Sequence, residues 1–279
     1  MEIQARGKIN WTLNIVGQRK DDYHLLDMLM QPIALSDTLR IEPAEGLCLT
    51  IDGAPSLSCE NNLILRAAKA LQAAAGPDQG ASIHLMKRIP MGAGLGGGSA
   101  DAAAALKGLN ALWGLNLSLE ALCEIGETIG ADVPYCLHDA PRRAQGIGEF
   151  LSPILSRVFP LILIQPCEAL STKEVFNAYH DSPAILTADT EAAISALAAG
   201  DLDALRVCGG NVLESASIPL RPQIAEAKAA LYAHGAAFSQ MTGSGSVVFG
   251  AFYHQEDAQR AFNALQPLYP SCILTETAL

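Results

Sequence analysis

The sequence predicts an α+β protein of two domains, and three observations carry that reading. The chain has 279 residues, more than one hydrophobic core usually serves and comfortable for two domains. Segments of period two and segments of helical period are interleaved along it, without an internal repeat or a long low-complexity linker. The chain closes on the pattern helix, strand, strand, helix, strand, which predicts an antiparallel sheet backed by helices. A boundary within 150–160 divides the chain into domains 1–153 and 154–279.

The elements follow in order. Ile9, Trp11, Leu13 and Ile15 alternate with Lys8, Asn10, Thr12 and Asn14. This period of two predicts a strand with one buried face, so Lys8 and Asn10 should project together from its polar face. Leu47, Leu49 and Ile51 alternate in the same way before an Asp52-Gly53 turn. Over 62–75, Leu63, Ala67 and Leu71 share a helical face, with Gly76-Pro77 as the stop. A strand over 81–88 leads into a glycine-rich loop and a helix over 99–112, with Ser99 capping its start. Ser118 suits the N-cap of a helix reaching about residue 129, with Gly130 past its end.

Residues 161–164 form an apolar run between Pro160 and Pro166. Ser171 and Glu174 have capping-box spacing at the start of a helix toward Tyr179. Alanine-rich helices are predicted over 189–199 and 201–207. A helix over 222–234, strands flanking a turn at 243–245, a helix over 256–265 and a strand over 271–275 complete the chain.

Composition excludes several classes. Lys and Arg number 18 against 29 Asp and Glu, a net charge of −11, which is the wrong footprint for nucleic acid or an anionic membrane. Half the residues are hydrophobic and only 5% aromatic, so the core should be aliphatic. The seven cysteines show no C-x-x-C pair, which argues against zinc and against a disulfide scaffold. They read as reduced thiols packed like small hydrophobes. The histidines at 84, 138, 180, 234 and 254 show no ligand spacing. The N-terminus lacks the apolar core of a signal peptide, and no run of about 18 apolar residues suggests a membrane span. A cytoplasmic protein is expected.

The strongest local signal is the run from Pro90 through Met91, Gly92, Ala93, Gly94, Leu95, Gly96, Gly97, Gly98 and Ser99 to Ala100. It lies between a strand and a helix. Glycine lets the backbone turn sharply and approach a ligand closely. The helix that follows offers unpaired N–H groups and the positive end of its dipole, which together suit phosphate. A Walker A loop would need lysine where Gly98 stands. Gly92, Gly94 and Gly97 match G-x-G-x-x-G, but no acidic residue ends a second strand about 20 residues on, so the dinucleotide fingerprint is weak.

The same run resembles the nucleotide-phosphate loop of the GHMP kinases. Four more segments carry the resemblance: Gly7-Lys8-Ile9-Asn10, Asp21-Asp22-Tyr23-His24, Gly130-Ala131-Asp132-Val133-Pro134 and Met241-Thr242-Gly243-Ser244-Gly245. They are similar, in order and spacing, to the members that phosphorylate a diphosphocytidyl-linked polyol. The chain departs from that pattern with Asp22 at a usual glycine, Arg6-Gly7 before the lysine, and Ala93 at a frequent glycine.

The resemblance implies a ribosomal-S5-like N-terminal domain and a ferredoxin-like C-terminal domain. It implies ATP-dependent phosphorylation of the C2 hydroxyl of 4-diphosphocytidyl-2-C-methyl-D-erythritol, with Mg²⁺ beside ATP, in non-mevalonate isoprenoid synthesis. Asp132, read as lying on a helix-to-strand turn, would be the general base, with Lys8 beside it to keep the carboxylate ionised. Asn10 would orient substrate, Tyr23, His24 and Phe176 would hold the cytosine, and Gly243 would let backbone approach the substrate phosphates. Asn62, Lys87 and residues 90–100 fall to the nucleotide, while Asp101 reads as a surface carboxylate near the helix start. The cytidyl substrate and ATP are the expected partners of a monomer or weak homodimer, without nucleic acid or membrane. A GHMP kinase for another alcohol such as homoserine or mevalonate, a silent ligand-binding relative, and a dinucleotide-binding oxidoreductase are the competing readings.

Overall fold

The computed structural model describes all residues except 21–22, 53–60, 77–78 and 180–186. Asp21, Asp22, Gly53, Cys59, Pro77 and His180 therefore lie outside the described residues. The chain forms two compact units, each drawing on separate stretches of sequence.

The first unit comprises Met1–Gly7, Leu35–Ile89 and Gly96–Asp139. It contains the start of strand β1 (Glu2–Gln18), the end of strand β2 (His24–Pro43), β3 (Leu47–Ile51) and β4 (Ala81–Met86). The strand order is β3-β4-β2-β1, with β3 parallel and β2 antiparallel to β4. Helices α1 (Leu63–Ala75), α2 (Gly97–Leu112), α3 (Leu119–Glu127) and α4 (Val133–His138) accompany these strands. Leu39, Ile41, Ile83, Leu85, Ile64, Leu71, Leu106 and Leu109 lie in one aliphatic core.

The second unit comprises Lys8–Ala34, Pro90–Leu95 and Ala140–Leu279. Strands β5 (Arg142–Gly146) and β6 (Phe150–Pro153) form a hairpin paired with β2. Strand β7 (Pro160–Ile164) precedes helices α5 (Thr172–Ala178), α6 (Thr190–Ala199) and α7 (Leu202–Cys208). The short strand β8 (Gly210–Asn211) then pairs parallel with β1. Helices α8 (Glu214–Leu220) and α9 (Gln223–Ala233) lead to β9 (Phe238–Met241), β10 (Val248–Ala251), α10 (Gln255–Leu265) and β11 (Ile273–Glu276). Their sheet has the antiparallel order β11-β7-β10-β9, the ferredoxin-like arrangement expected for this part. Trp11 anchors the unit's core against Phe159, Phe238 and Phe249, with ring centroids 5.4–5.7 Å apart.

The structure corrects several local expectations. The strand expected over 8–16 is much longer, and both of its faces are buried. Lys8, Asn10, Thr12 and Asn14 are all buried alongside Ile9, Trp11 and Leu13. Burial is tolerable because partners are supplied: Thr12 Oγ1 accepts from Leu29 N at 3.0 Å, and Asn14 Nδ2 donates to Ala188 O at 2.9 Å. Residues 133–138 are helical rather than extended, so Asp132 joins two helices. Pro134 sits in the first turn of α4, where its missing N–H costs nothing.

Ser99 does not cap α2, which starts earlier, with Gly96 in the left-handed region at φ +70°. Ser171 stands at the N-cap of α5 without a side-chain capping bond. Cys48 is exposed, because β3 alternates outward at that position. No helix among the described residues is long and apolar enough to cross a membrane.

Candidate active site

In the second unit, Asn10 is the node. Its Oδ1 accepts from Lys8 Nζ at 2.8 Å, from Gly243 N at 3.0 Å and from Thr242 Oγ1 at 3.3 Å. Its own N–H donates to Thr242 Oγ1 at 3.1 Å. Lys8 is only 5% exposed, and its ammonium also donates to Gly94 O at 3.0 Å. Period two along β1 puts Lys8 and Asn10 on the same face, as the alternation predicted.

The loop residues Pro90–Leu95 are fixed in the same unit. Lys8 N donates to Leu95 O at 2.9 Å, and Val247 N to Ala93 O at 3.3 Å. Gly94 has φ +79°, and a Cβ there would collide with Thr242 O. Gly243 has φ +56°, and its Cβ would lie 2.9 Å from Gly94 O. The two glycine turns therefore pack backbone on backbone, which side chains would forbid. Asn211 holds the second turn, donating to Met241 O at 2.9 Å and Gly243 O at 2.8 Å. Met91 is exposed and Gly92 has a left-handed backbone.

His24 and Phe176 face each other with centroids 5.1 Å apart and planes 32° apart. Tyr179 meets the same imidazole edge-on. Tyr23 is 61% exposed, with the Arg19 guanidinium 5.9 Å above its ring.

In the first unit, Gly97, Gly98 and Ser99 form the first turn of α2, whose N–H groups have no partner within the helix. A Cβ on Gly130 would lie 4.0 Å from Ser99 Oγ, so the Gly130–Asp132 turn comes up beside this helix start. Val133 N donates to Gly130 O at 3.0 Å, and Cys136 N to Asp132 O at 3.1 Å. Asn62 caps α1, accepting from Ile64 N at 2.9 Å.

Lys87 is clasped by two carboxylates, Asp37 Oδ2 at 2.5 Å and Asp101 Oδ2 at 2.8 Å. Asp101 is only 4% exposed, which overturns its reading as a surface carboxylate: from the second turn of α2 its side chain faces Lys87 rather than solvent. Burial pushes the Asp101 carboxyl up to about 7, against the pull of Lys87 and with Asp37 adding to the rise. Burial acts to lower the Lys87 ammonium, but the two carboxylates prevail and raise it. Asp37, Thr242 and Asn211 were not singled out by sequence reasoning. Thr242 lies inside a quoted glycine turn, whereas Asp37 stands within a strand with no local signal.

The family model for the GHMP kinases N terminal domain matches residues 62–140, and that for the GHMP kinases C terminal matches 193–270. A 4-diphosphocytidyl-2-C-methyl-D-erythritol kinase of Pelotomaculum thermopropionicum is 42% identical, over 92% of this chain and 90% of the relative. One of Moorella thermoacetica is 40% identical over 99% of both chains. A crystal structure of a 4-(cytidine 5'-diphospho)-2C-methyl-D-erythritol kinase superposes with TM-score 0.87 at 34% identity, covering 100% of both chains. A homoserine kinase from Cytophaga hutchinsonii shares the fold at TM-score 0.74 and 17% identity, over 100% of this chain and 95% of its own. The chain therefore has the two-domain α+β GHMP kinase fold, and it belongs to the GHMP kinases and, among them, to the 4-diphosphocytidyl-2-C-methyl-D-erythritol kinase family.

Proposed function

We propose that this protein is an ATP-dependent kinase that phosphorylates the C2 hydroxyl of 4-diphosphocytidyl-2-C-methyl-D-erythritol, releasing ADP, in non-mevalonate isoprenoid precursor synthesis. The observation that carries the reading is similarity of about two residues in five over nearly the whole chain to kinases of that name. The His24–Phe176 ring pair supports a nucleobase in the acceptor, which homoserine and mevalonate lack.

Asp132 takes the proton of the C2 hydroxyl, and the Lys8 ammonium polarises that hydroxyl. Asn10 holds Lys8 in one position through its 2.8 Å bond and orients substrate. Tyr23, His24 and Phe176 hold the cytosine, and Gly243 lets backbone approach the substrate phosphates. The ATP phosphates lie along residues 90–100, with Asn62 and Lys87 completing the nucleotide side. Mg²⁺ neutralises phosphate charge when bound. The hard Ser99 hydroxyl at the start of α2 would be a ligand of the type it prefers. We place the enzyme in the cytoplasm, as a monomer or weak homodimer.

The test is ADP release from Mg-ATP with the cytidyl substrate, with homoserine and mevalonate as parallel acceptors. Turnover with the cytidyl substrate alone is expected. Turnover only with another acceptor would discard the substrate and keep the superfamily. Asp132→Asn should lower kcat by about 10²–10⁴-fold while melting like the parent. A parental rate in that folded variant would remove Asp132 from the role.

A further inference from the structure

We propose that Asp37, Lys87 and Asp101 form a buried ionic brace that sets the geometry of the glycine loop for the ATP phosphates, acting as positioning residues. The proposal deepens the kinase reading above and rests on it.

Past Met86 the chain leaves the sheet and runs Lys87, Arg88, Ile89 into the loop. The amides of Arg88 and Ile89 need acceptors there. One carboxylate oxygen, Asp37 Oδ1, serves both, at 2.5 and 2.8 Å. Its other oxygen binds Lys87 Nζ. A single fully buried side chain thus fixes three consecutive residues immediately before Pro90.

The far end of the loop is tied to the same ammonium. Lys87 Nζ reaches Asp101 Oδ2 at 2.8 Å, one turn into α2. The helix start presses closely on this group: a Cβ on Gly97 would lie 3.2 Å from Lys87 Nζ and 3.0 Å from Ile89 Cγ2. Residues 87–89 and 97–101 are therefore held in register through one cation, whatever the intervening residues do.

Charge excludes the simpler alternative for Lys87. Two carboxylates already neutralise its ammonium, so it has little positive field left for a phosphate. Its influence on ATP runs through the position of the loop and the N–H groups of α2. Stability alone is a poor reason for such a cluster. Desolvation of three charges roughly cancels their attraction, and apolar residues of similar volume often serve as well or better. Asp101 Oδ1 is buried without a hydrogen-bond partner, a further sign that the cluster is not optimised for stability.

The experiment measures ATP affinity by calorimetry and KM for both substrates in the full-length protein. The variants are Asp101→Asn, Lys87→Met and the triple variant Asp37→Asn/Lys87→Met/Asp101→Leu, with melting curves alongside. The triple variant replaces the ions with apolar bulk and keeps an acceptor for the Arg88 and Ile89 amides, so it should fold if the single variants do not. A folded triple variant should bind ATP about ten- to a hundredfold more weakly, the loss expected of a misplaced loop. KM for the cytidyl substrate should be unchanged. Parental ATP affinity in the folded triple variant would make the cluster a merely structural feature and overturn the proposal. Equal weakening of both substrates would also overturn it. Absence of parental turnover would instead count against the kinase reading, while the ATP affinities would still decide the role of the brace.

Discussion

The segment Pro90–Leu95 and the residues that flank it are held by different physics. Within the second unit, the segment meets backbone amides, the Thr242 hydroxyl and one lysine ammonium, all turned on carbonyl oxygens. Within the first unit, the flanks at 87–89 and 97–101 are held by two carboxylates around an ammonium. Contacts to carbonyls are directional and individually modest, so they fix a shape that a ligand can adjust at small cost. A buried ion cluster is stiff and unforgiving: one missing partner leaves an uncompensated charge. The pattern is a hydrogen-bonded backbone segment between ends clasped by ions.

Four changes test that contrast, from the largest effect down. Gly94→Val forces a left-handed backbone on a branched side chain and drives its Cβ into Thr242 O. We expect a loss of about 5 kcal/mol, or no folded protein at all. Denaturation within about 1 kcal/mol of the parent would mean that this backbone contact is soft. Asp37→Ala strips the acceptor from two amides and one ammonium, and should cost about 3–5 kcal/mol in urea unfolding.

Asn10→Ala leaves Lys8 and the Gly243 amide without that oxygen, and should cost about 1–3 kcal/mol. A loss as large as that of Asp37→Ala would erase the contrast between the two regions. The smallest effect is a pH slope. The Asp101 carboxyl titrates at about 7 when folded and near 3.8 when unfolded. Between those values the folded chain holds the extra proton, so stability falls as pH rises through the window and levels off above it. The shift of Lys87 is upward from 10.5, outside the window. Asp101→Asn should flatten this part of the profile, and an unchanged slope would assign the titration elsewhere.

The sequence was informative where forces are local. Asn62, Ser118, Asp189 and Asp201 each cap a helix by accepting an amide two or three residues on, a contact that short-range chemistry dictates. The glycine turns were legible because left-handed backbone needs glycine, and Gly92, Gly94, Gly96, Gly243 and Gly245 all adopt it. Residues 133–138 were misread because Val133-Pro134 looks like a helix stop, when proline in a first turn begins one. The polar face of β1 and Asp101 were misjudged for a different reason. A polar residue on an amphipathic pattern is assigned to water by default, and only distant partners reveal otherwise.

The sequence by itself determined the α+β class, the family, and the spacing that puts Lys8 and Asn10 on one side of a strand. Those features depend on backbone preference and on periods of a few residues. Only the tertiary structure decided that Asn10 would meet Gly243, 233 positions away, and that Asp37 would meet Lys87, 50 positions away. Such contacts are not specified by any local propensity. They arise because buried polar groups must find partners, and the partner is whichever group the packing of strands and helices brings within reach.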